Sequence, residues 1–375
     1  MSNLLPNIEP KMNCSELNLI KWLVVLMSIL FLSGCGESEP DPPASLSYPL
    51  DIRAADISFL PEIRNDAVQF KDRNGQVKDV LTVLQEEGCN TIRLRLWHTP
   101  ETNHSGFEEV KQFASEIKSK GLKLWLTVHY SDTWADPGHQ TKPEAWSTLS
   151  TADLGDSVYN YTKKIVKQLS PDFIQIGNEI NAGFLWPNGS TSNLTDFINL
   201  LKKGVQGVRD ESDNAQIIIH YAGTDGSVWF YDQLKNNNVD YDIIGISYYP
   251  RWHTKSLITL RSILAQLNTN SSKEIVLAET GYPFTLDWND WTNNLIGLTD
   301  HLLVGYPATP KGQHDFMMQL RKMMSELNGG LGIAYWAPEW VAYKGPEATN
   351  GSPWENMALF DFDFKALEAV KVFNE

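Results

Sequence analysis

Two glutamates stand at matching places in the sequence, each at the end of a short apolar run. Glu179 ends the run at 173–179, and Glu279 ends the run at 274–279. Cleavage of a glycosidic bond uses two carboxyl groups, one that protonates the leaving oxygen and one that acts as nucleophile or base. The residue types therefore suit this chemistry, provided that the fold brings the ends of the two runs together.

The rest of the chain contains elements that would do so. Eight apolar or β-branched runs cover residues 54–58, 91–97, 122–130, 173–179, 216–221, 243–249, 274–279 and 331–336. Helical patterns lie between them, one of which is formed by Val77, Val80, Leu81 and Leu84. Strand alternating with helix eight times predicts a single α/β domain, a (β/α)8 TIM barrel. A doubly wound sheet is less favoured, because no glycine-rich phosphate turn follows the first run.

A barrel of this kind carries its active site at the carboxyl ends of the strands. The residues predicted there are Asp56, Arg93 or Arg95, His129, Glu179, His220, Tyr249, Glu279 and Trp336. Arg93 and Arg95 share one face of their strand, because side chains alternate. Either arginine, or Tyr249, is a candidate partner for an ionised Glu279.

Tryptophans are candidates for stacking against sugar rings. Trp336 is predicted to form the floor of the site. Trp97, Trp134, Trp186 and Trp340 are candidates for the groove, with ordinary packing an equal alternative for each.

The two glutamates also fit a known pattern. Asn178-Glu179 after the fourth run, with Glu279 after the seventh, resembles the clan A retaining glycosidases. The resemblance implies that Glu179 is the acid/base, that Glu279 is the nucleophile, and that Asn178 contacts the sugar 2-hydroxyl. Glu179 must then keep its proton near neutral pH, so burial or the second carboxylate must raise its pKa.

Over residues 54–373 the chain resembles glycoside hydrolase family 53, the endo-β-1,4-galactanases. The most diagnostic stretch runs from His129 to Gly138 and continues through residues 140–143; 55–58, 90–97, 175–180, 244–250 and 278–283 also match. The resemblance implies hydrolysis of β-1,4-galactan with retention of configuration. It also places Arg93, His129, Asn178, His220 and Tyr249 around the catalytic subsite and favours Arg93 over Arg95.

Some bacterial members of this family bind calcium in the loop after the seventh strand. The matching positions here are Asp290, Thr292 and Asn294, with threonine where the family has histidine. Hydroxyl and amide oxygens suit a hard cation, but the substitution weakens the ligand set. Catalysis by two carboxyl groups requires no cofactor.

The N-terminus has the features of a targeting segment. An apolar run from Trp22 to Leu32 is too short to span a bilayer, and Leu32-Ser33-Gly34-Cys35 resembles a bacterial lipobox. We expect a lipoprotein signal peptide at 1–34, lipidation of Cys35, an acidic, proline-rich tether at 35–48 and the catalytic domain at 49–375. Met12 is an alternative start. The expected location is the bacterial outer membrane, with the protein anchored by lipid and exposed at the surface.

The charge balance narrows the choice of partner. Asp and Glu outnumber Lys and Arg by 46 to 31, which argues against nucleic acid and against an acidic polymer in the groove. A neutral galactan is compatible with this charge. Two alternatives remain from the residues alone: another clan A endo-glycanase acting on xylan, mannan or β-glucan, and a surface glycan-binding lipoprotein on an inactive barrel.

Overall fold

Eight parallel strands close into a barrel in the computed structural model, which describes residues 48–374. Each strand pairs with its sequence neighbours, and the last pairs with the first. The strands are β1 (Ile52–Asp56), β2 (Thr91–Leu96), β3 (Lys123–Val128), β4 (Phe173–Ile176), β5 (Gln216–Ala222), β6 (Ile243–Tyr248), β7 (Glu274–Thr280) and β8 (Gly330–Trp336). The predicted (β/α)8 architecture is confirmed.

Helices surround the barrel, with two between β1 and β2 and one in each later crossover. They are α1 (Leu60–Asn65), α2 (Val80–Glu86), α3 (Phe107–Ser119), α4 (Thr151–Leu169), α5 (Leu194–Arg209), α6 (Ser227–Asn236), α7 (Leu257–Ser271) and α8 (Pro310–Glu326). None of these helices, within residues 48–374, has the length and apolar character needed to cross a bilayer.

The sequence reading placed two helical features wrongly. No α-helix follows β8 in the described chain; the 3-10 segment Glu368–Phe373 packs there against α8 and reaches Gly88, just after α2. This short segment covers the gap that an eighth helix would fill. Val77, predicted as part of a helical stripe, is 62% exposed and precedes α2, because the Asp79 side chain caps the helix at Leu81 N–H.

The barrel interior has an apolar layer beneath a polar one. The apolar layer is separate from the larger core between strands and helices, and it consists of Ile52, Ala54, Trp125, Phe173, Ile218, Ile243, Val276, Ala278, Leu331 and Ala334. The guanidinium carbon of Arg93 lies 5.6 Å from the centre of the Trp125 ring. The Arg93 guanidinium at the mouth therefore lies directly above this apolar layer.

The signal peptide, Cys35 and nearly all of the tether predicted above fall in residues 1–47, outside the described part of the chain.

Candidate active site

Glu179 lies on an irregular turn beyond its strand rather than at the strand end. β4 stops at Ile176, and Gly177 and Glu179 both have positive φ, +79° and +46°. The left-handed region is unfavourable for a residue with a Cβ, so neighbouring groups must stabilise the turn. The Gln140 side-chain amide does so, donating to the carbonyls of Asn178 at 2.8 Å and Glu179 at 3.3 Å.

Glu279 reaches the mouth through an irregularity in β7. Ile246 of β6 pairs with Leu277, but the next residue, Ser247, pairs with Glu279, so Ala278 is an extra residue in the ladder. An extra residue bends a strand and redirects the side chains beside it. The register shift places Glu279 opposite Ser247, on the side of the barrel mouth where Glu179 also lies.

The two glutamates are close enough to act on one bond. One carboxylate oxygen from each and a ring nitrogen of His220 all lie within 4.8 Å of one another. Retaining glycosidases hold their carboxyl groups about 5–5.5 Å apart, whereas inverting enzymes leave roughly 6.5–9.5 Å for a water. Oxygens that approach within 4.8 Å lie below the inverting range, which favours the retaining arrangement.

Arg93 connects the polar groups at the mouth. Its guanidinium donates to Asp56 Oδ2 at 2.6 Å, to Glu279 Oε1 at 2.7 Å and to Asn178 Oδ1 at 3.1 Å. The Arg93 side chain is 2% exposed. A buried charge of this kind needs paired opposite charges to offset its desolvation, and the two carboxylates supply them.

Arg95 has a different environment on the same strand. It donates to Ser105 Oγ, and its guanidinium stacks over Trp97 and Trp134. Both arginines line the cavity, but Arg93 is the one bonded to Glu279.

The glutamates differ in their electrostatic surroundings. Burial and the charge of Glu279 raise the pKa of Glu179 to about 8. Burial also raises the pKa of Glu279, but the adjacent Arg93 opposes that rise. The proton shared by the pair therefore belongs on Glu179.

Both predicted histidines are buried and neutral. Burial, reinforced by nearby arginine charge, lowers the pKa of His129 and of His220 well below the usual value. His129 Nδ1 accepts from Ala135 N–H and from the Trp97 indole N–H. His220 Nδ1 faces the side chain of Gln175 and the backbone N–H of Glu179. The lowered pKa of each ring favours its neutral form near neutral pH.

A cavity of about 590 Å³ opens over this constellation. Most residues predicted around the catalytic subsite line this cavity: Asp56, Arg93, His129, Trp134, Asn178, Glu179, Tyr249, Glu279 and Trp336. His220 lies outside the lining and is bonded behind Glu179 and Asn178. The Tyr249 hydroxyl is buried and makes no hydrogen bond within residues 48–374, so of the candidate partners for Glu279 it is Arg93, not Tyr249, that bonds it.

The aromatic wall differs from the sequence reading. Trp97 and Trp340 pack behind it, against Arg95 and Phe59, and Trp186 bonds Ala182 O outside the cavity lining. Trp252 and Trp354 line the cavity in their place, with parallel rings whose centres are 6.3 Å apart. Both come from loops, where no periodic pattern indicates which side a side chain faces.

Sequence reasoning also missed the polar residues beneath the glutamates. Gln175 lies in β4 and bonds His220 and Asn178. Ser247 lies in β6 and bonds both His220 and Glu179. The available signal was one polar residue inside an otherwise apolar strand.

The predicted calcium positions are largely bonded within the protein. Asp290 Oδ1 and Oδ2 accept the backbone N–H groups of Thr292 and Ser352, and the Thr292 hydroxyl is bonded to Gly351 N–H and Ala348 O. Within residues 48–374, Asn294 Oδ1 is the oxygen of these three side chains that makes no hydrogen bond. At the other acidic cluster, Glu179 and Glu279 with His220, the bonded Arg93 opposes a second positive charge.

A TIM barrel with two carboxyl groups this close at its mouth, of which Glu279 is bonded to Arg93, defines a glycoside hydrolase of the retaining type. The sequence profile described as Glycosyl hydrolase family 53 matches residues 52–373. The chain belongs to this family.

Relatives agree in sequence and in structure. An arabinogalactan endo-β-1,4-galactanase of Cellvibrio japonicus is 34% identical over 338 residues, which cover 85% of this chain and 89% of the relative. The solved structure of the Ignisphaera aggregans GH53 catalytic domain is 39% identical, with a TM-score of 0.83. The match covers 89% of this chain and 98% of that domain. A fungal β-1,4-galactanase structure is 29% identical, with a TM-score of 0.77. The match covers 87% of this chain and 100% of the fungal chain.

Replacing Arg93 tests its part in the site without an activity assay. We expect Arg93→Met to lower the free energy of unfolding by about 3–5 kcal/mol at neutral pH, because it leaves buried carboxylates unpaired. The loss should shrink as the pH falls, because protonation of Glu279 removes the unpaired charge. Chemical denaturation at several pH values measures both effects.

Arg64→Met is the matched control for that measurement. Arg64 pairs with Asp79 and Glu116 at the surface, where ion pairs contribute at most about 1 kcal/mol. Equal losses for the two variants would contradict the central position given to Arg93.

Proposed function

We propose that this protein is a retaining endo-hydrolase of β-1,4-galactan, the side chain of pectin known as type I arabinogalactan. The observation that carries the proposal is the unequal glutamate pair: oxygens within 4.8 Å, with Arg93 bonded to Glu279. Such a pair supplies one acid and one nucleophile at neutral pH.

Glu179 serves as the acid/base and Glu279 as the nucleophile in this proposal. In the first step Glu279 attacks the anomeric carbon while the Glu179 proton passes to the glycosidic oxygen. The bond between the anomeric carbon and the glycosidic oxygen breaks. In the second step Glu179 takes a proton from water, and the water oxygen displaces Glu279 from the sugar. Arg93 holds Glu279 in place through both steps.

The other wall residues would bind the sugar. Asn178 would contact the 2-hydroxyl; its Oδ1 accepts from Arg93 and its Nδ2 donates to Ala135 O, which fixes its orientation. His129, Asp56 and Tyr249 supply polar groups around the catalytic subsite. Trp134, Trp252 and Trp336 supply aromatic faces.

Galactan is the substrate that the relatives favour. The named relatives in bacteria and fungi are galactanases, and the chain carries a formal charge of −15, which suits a neutral polymer better than a uronate chain. We expect galactan and galacto-oligosaccharides to be the ligands.

The assay that tests this proposal is release of reducing ends from a panel of polysaccharides. We expect hydrolysis of debranched β-1,4-galactan and not of xylan, mannan, β-glucan or polygalacturonate. Glu179→Ala and Glu279→Ala should each lose at least about 10²-fold in kcat, because each removes one half of the chemistry. Hydrolysis of another polymer instead would show that galactan is not the substrate. Galactan binding without turnover would favour a glycan-binding protein.

Azide separates the roles of the two glutamates. Added to Glu179→Ala with an aryl β-galactobioside, it should yield a β-galactosyl azide, because the glycosyl-enzyme on Glu279 still forms. An α-azide from this variant would reverse the assignment.

The pH profile follows from the raised pKa of Glu179. We expect kcat/KM on galactan to fall as the pH rises through about 8, because the acid then loses the proton that it must donate. In Glu179→Ala the basic limb should vanish for a dinitrophenyl glycoside, whose leaving group needs no acid. A basic limb that persists would belong to another group.

We also propose that the protein is an outer-membrane lipoprotein, exported by the 1–34 segment and anchored by lipid on Cys35. The lipobox-like residues 32–35 and the proline-rich stretch that follows support this location. We expect Cys35→Ala to move the enzyme from the membrane to the soluble fraction, because the lipid anchor is lost. Fractionation of bacteria that express this variant measures the change. A variant that stays with the membrane would refute the anchor.

A further inference from the structure

Ser247 lies between the acid/base glutamate and a buried histidine. Its hydroxyl is 2.5 Å from Glu179 Oε1 and 2.8 Å from His220 Nε2. Ser247 and His220 are both fully buried. The register shift between β6 and β7 sets Ser247 directly opposite Glu279, so its hydroxyl lies where the two glutamates meet.

The neighbours of His220 fix the direction of these bonds. Nδ1 faces two N–H donors, the Gln175 amide at 2.9 Å and the backbone of Glu179 at 3.3 Å. It must therefore carry a lone pair, and in a neutral ring the proton then sits on Nε2. Nε2–H can only donate to Ser247 Oγ, which leaves the serine proton for Glu179 Oε1.

The opposite arrangement would break contacts that the structure makes. A proton on Nδ1 could reach Asn178 Oδ1 at 3.1 Å, but it would face the N–H groups of Gln175 and Glu179. Asn178 Oδ1 is also already an acceptor for Arg93. The buried network is satisfied in one direction only, and networks of this kind are costly to leave unsatisfied.

We propose that Ser247, oriented by His220, is a positioning residue that keeps Glu179 Oε1 as an acceptor and so confines the catalytic proton to Oε2. Oε2 makes no hydrogen bond within residues 48–374, and Glu179 lines the cavity. The inference rests on the proposed acid/base role of Glu179.

The proton balance of the reaction is unchanged by this arrangement. In the first step the Oε2–H bond breaks as the glycosidic oxygen takes the proton, and Ser247 O–H stabilises the carboxylate that remains. In the second step a proton from water returns to Oε2, while the Ser247 hydroxyl still donates a hydrogen bond to Oε1. The serine never gives up its own proton.

The test compares Ser247→Ala with Ser247→Thr, which keeps the hydroxyl. Loss of a donor to the carboxylate should move the basic limb of kcat/KM upward by about one pH unit. Activity on galactan should fall about 10- to 100-fold, but the glycosylation rate with a dinitrophenyl galactobioside should fall less than about threefold, because that step needs no acid. Ser247→Thr should restore both values.

Ser227→Ala is the matched structural control. Ser227 is equally buried, and within the described residues its hydroxyl donates to Thr224 O alone. We expect it to leave the pH limb and the ratio of the two substrates unchanged. If Ser247→Ala behaves like this control, or loses both substrates equally with no shift of the limb, the inference is wrong.

A titration that does not use turnover separates this inference from the proposed function. In protein labelled with 13C at the glutamate carboxyl, the Glu179 signal is the one missing in Glu179→Gln, and Ser247→Ala should raise its midpoint. Ser247→Cys, a weak donor, should give an intermediate shift and replaces the alanine variant if that variant does not fold. Wild-type protein inactive on both substrates would refute the proposed function, whereas an unmoved midpoint would refute the role of Ser247.

Discussion

The buried guanidinium of Arg93 is the interaction on which the rest of the site depends. From β2 it bonds Asp56 at the end of β1, Glu279 in β7 and Asn178 beyond β4. One planar group thus joins three other parts of the barrel. A charge removed from water in this way is tolerable only while both carboxylates remain beside it. The same pairing makes the two glutamates unequal, since only Glu279 is bonded to the cation.

The barrel makes this arrangement possible by supplying an apolar support. Trp125 and the apolar residues around it fill the interior below Arg93 and exclude water from that side. Charges interact more strongly in apolar surroundings than in solvent. The bond from Arg93 to Glu279 therefore produces a large difference between the two glutamates in how readily they hold a proton. The local irregularities, the turn at Glu179 and the extra residue in β7, then bring two carboxyl groups within reach of one bond.

Much of the fold was predictable from sequence, because strands buried on both faces leave a continuous apolar signal. All eight predicted runs overlap observed strands. The segment after β8 was mistaken for a helix by analogy with the other units, whereas residues 368–373 form a 3-10 segment there. The glutamates were visible because they end apolar runs. Trp252 and Trp354 were not, because loop conformation decides which tryptophans face the cavity, and Ser247 was hidden because its partners are distant in sequence.

The Tyr249 hydroxyl shows how such a site can discriminate between ligands. It is buried at the cavity wall with no hydrogen bond within the described residues, a condition that costs the empty protein about 1–3 kcal/mol. A sugar with an oxygen positioned to accept this O–H would form the missing hydrogen bond and offset that unfavourable free energy. A sugar without such an oxygen would leave the hydroxyl unbonded and bind more weakly. Under the proposed function, the Tyr249 hydroxyl would therefore favour sugars according to the position of their hydroxyl groups.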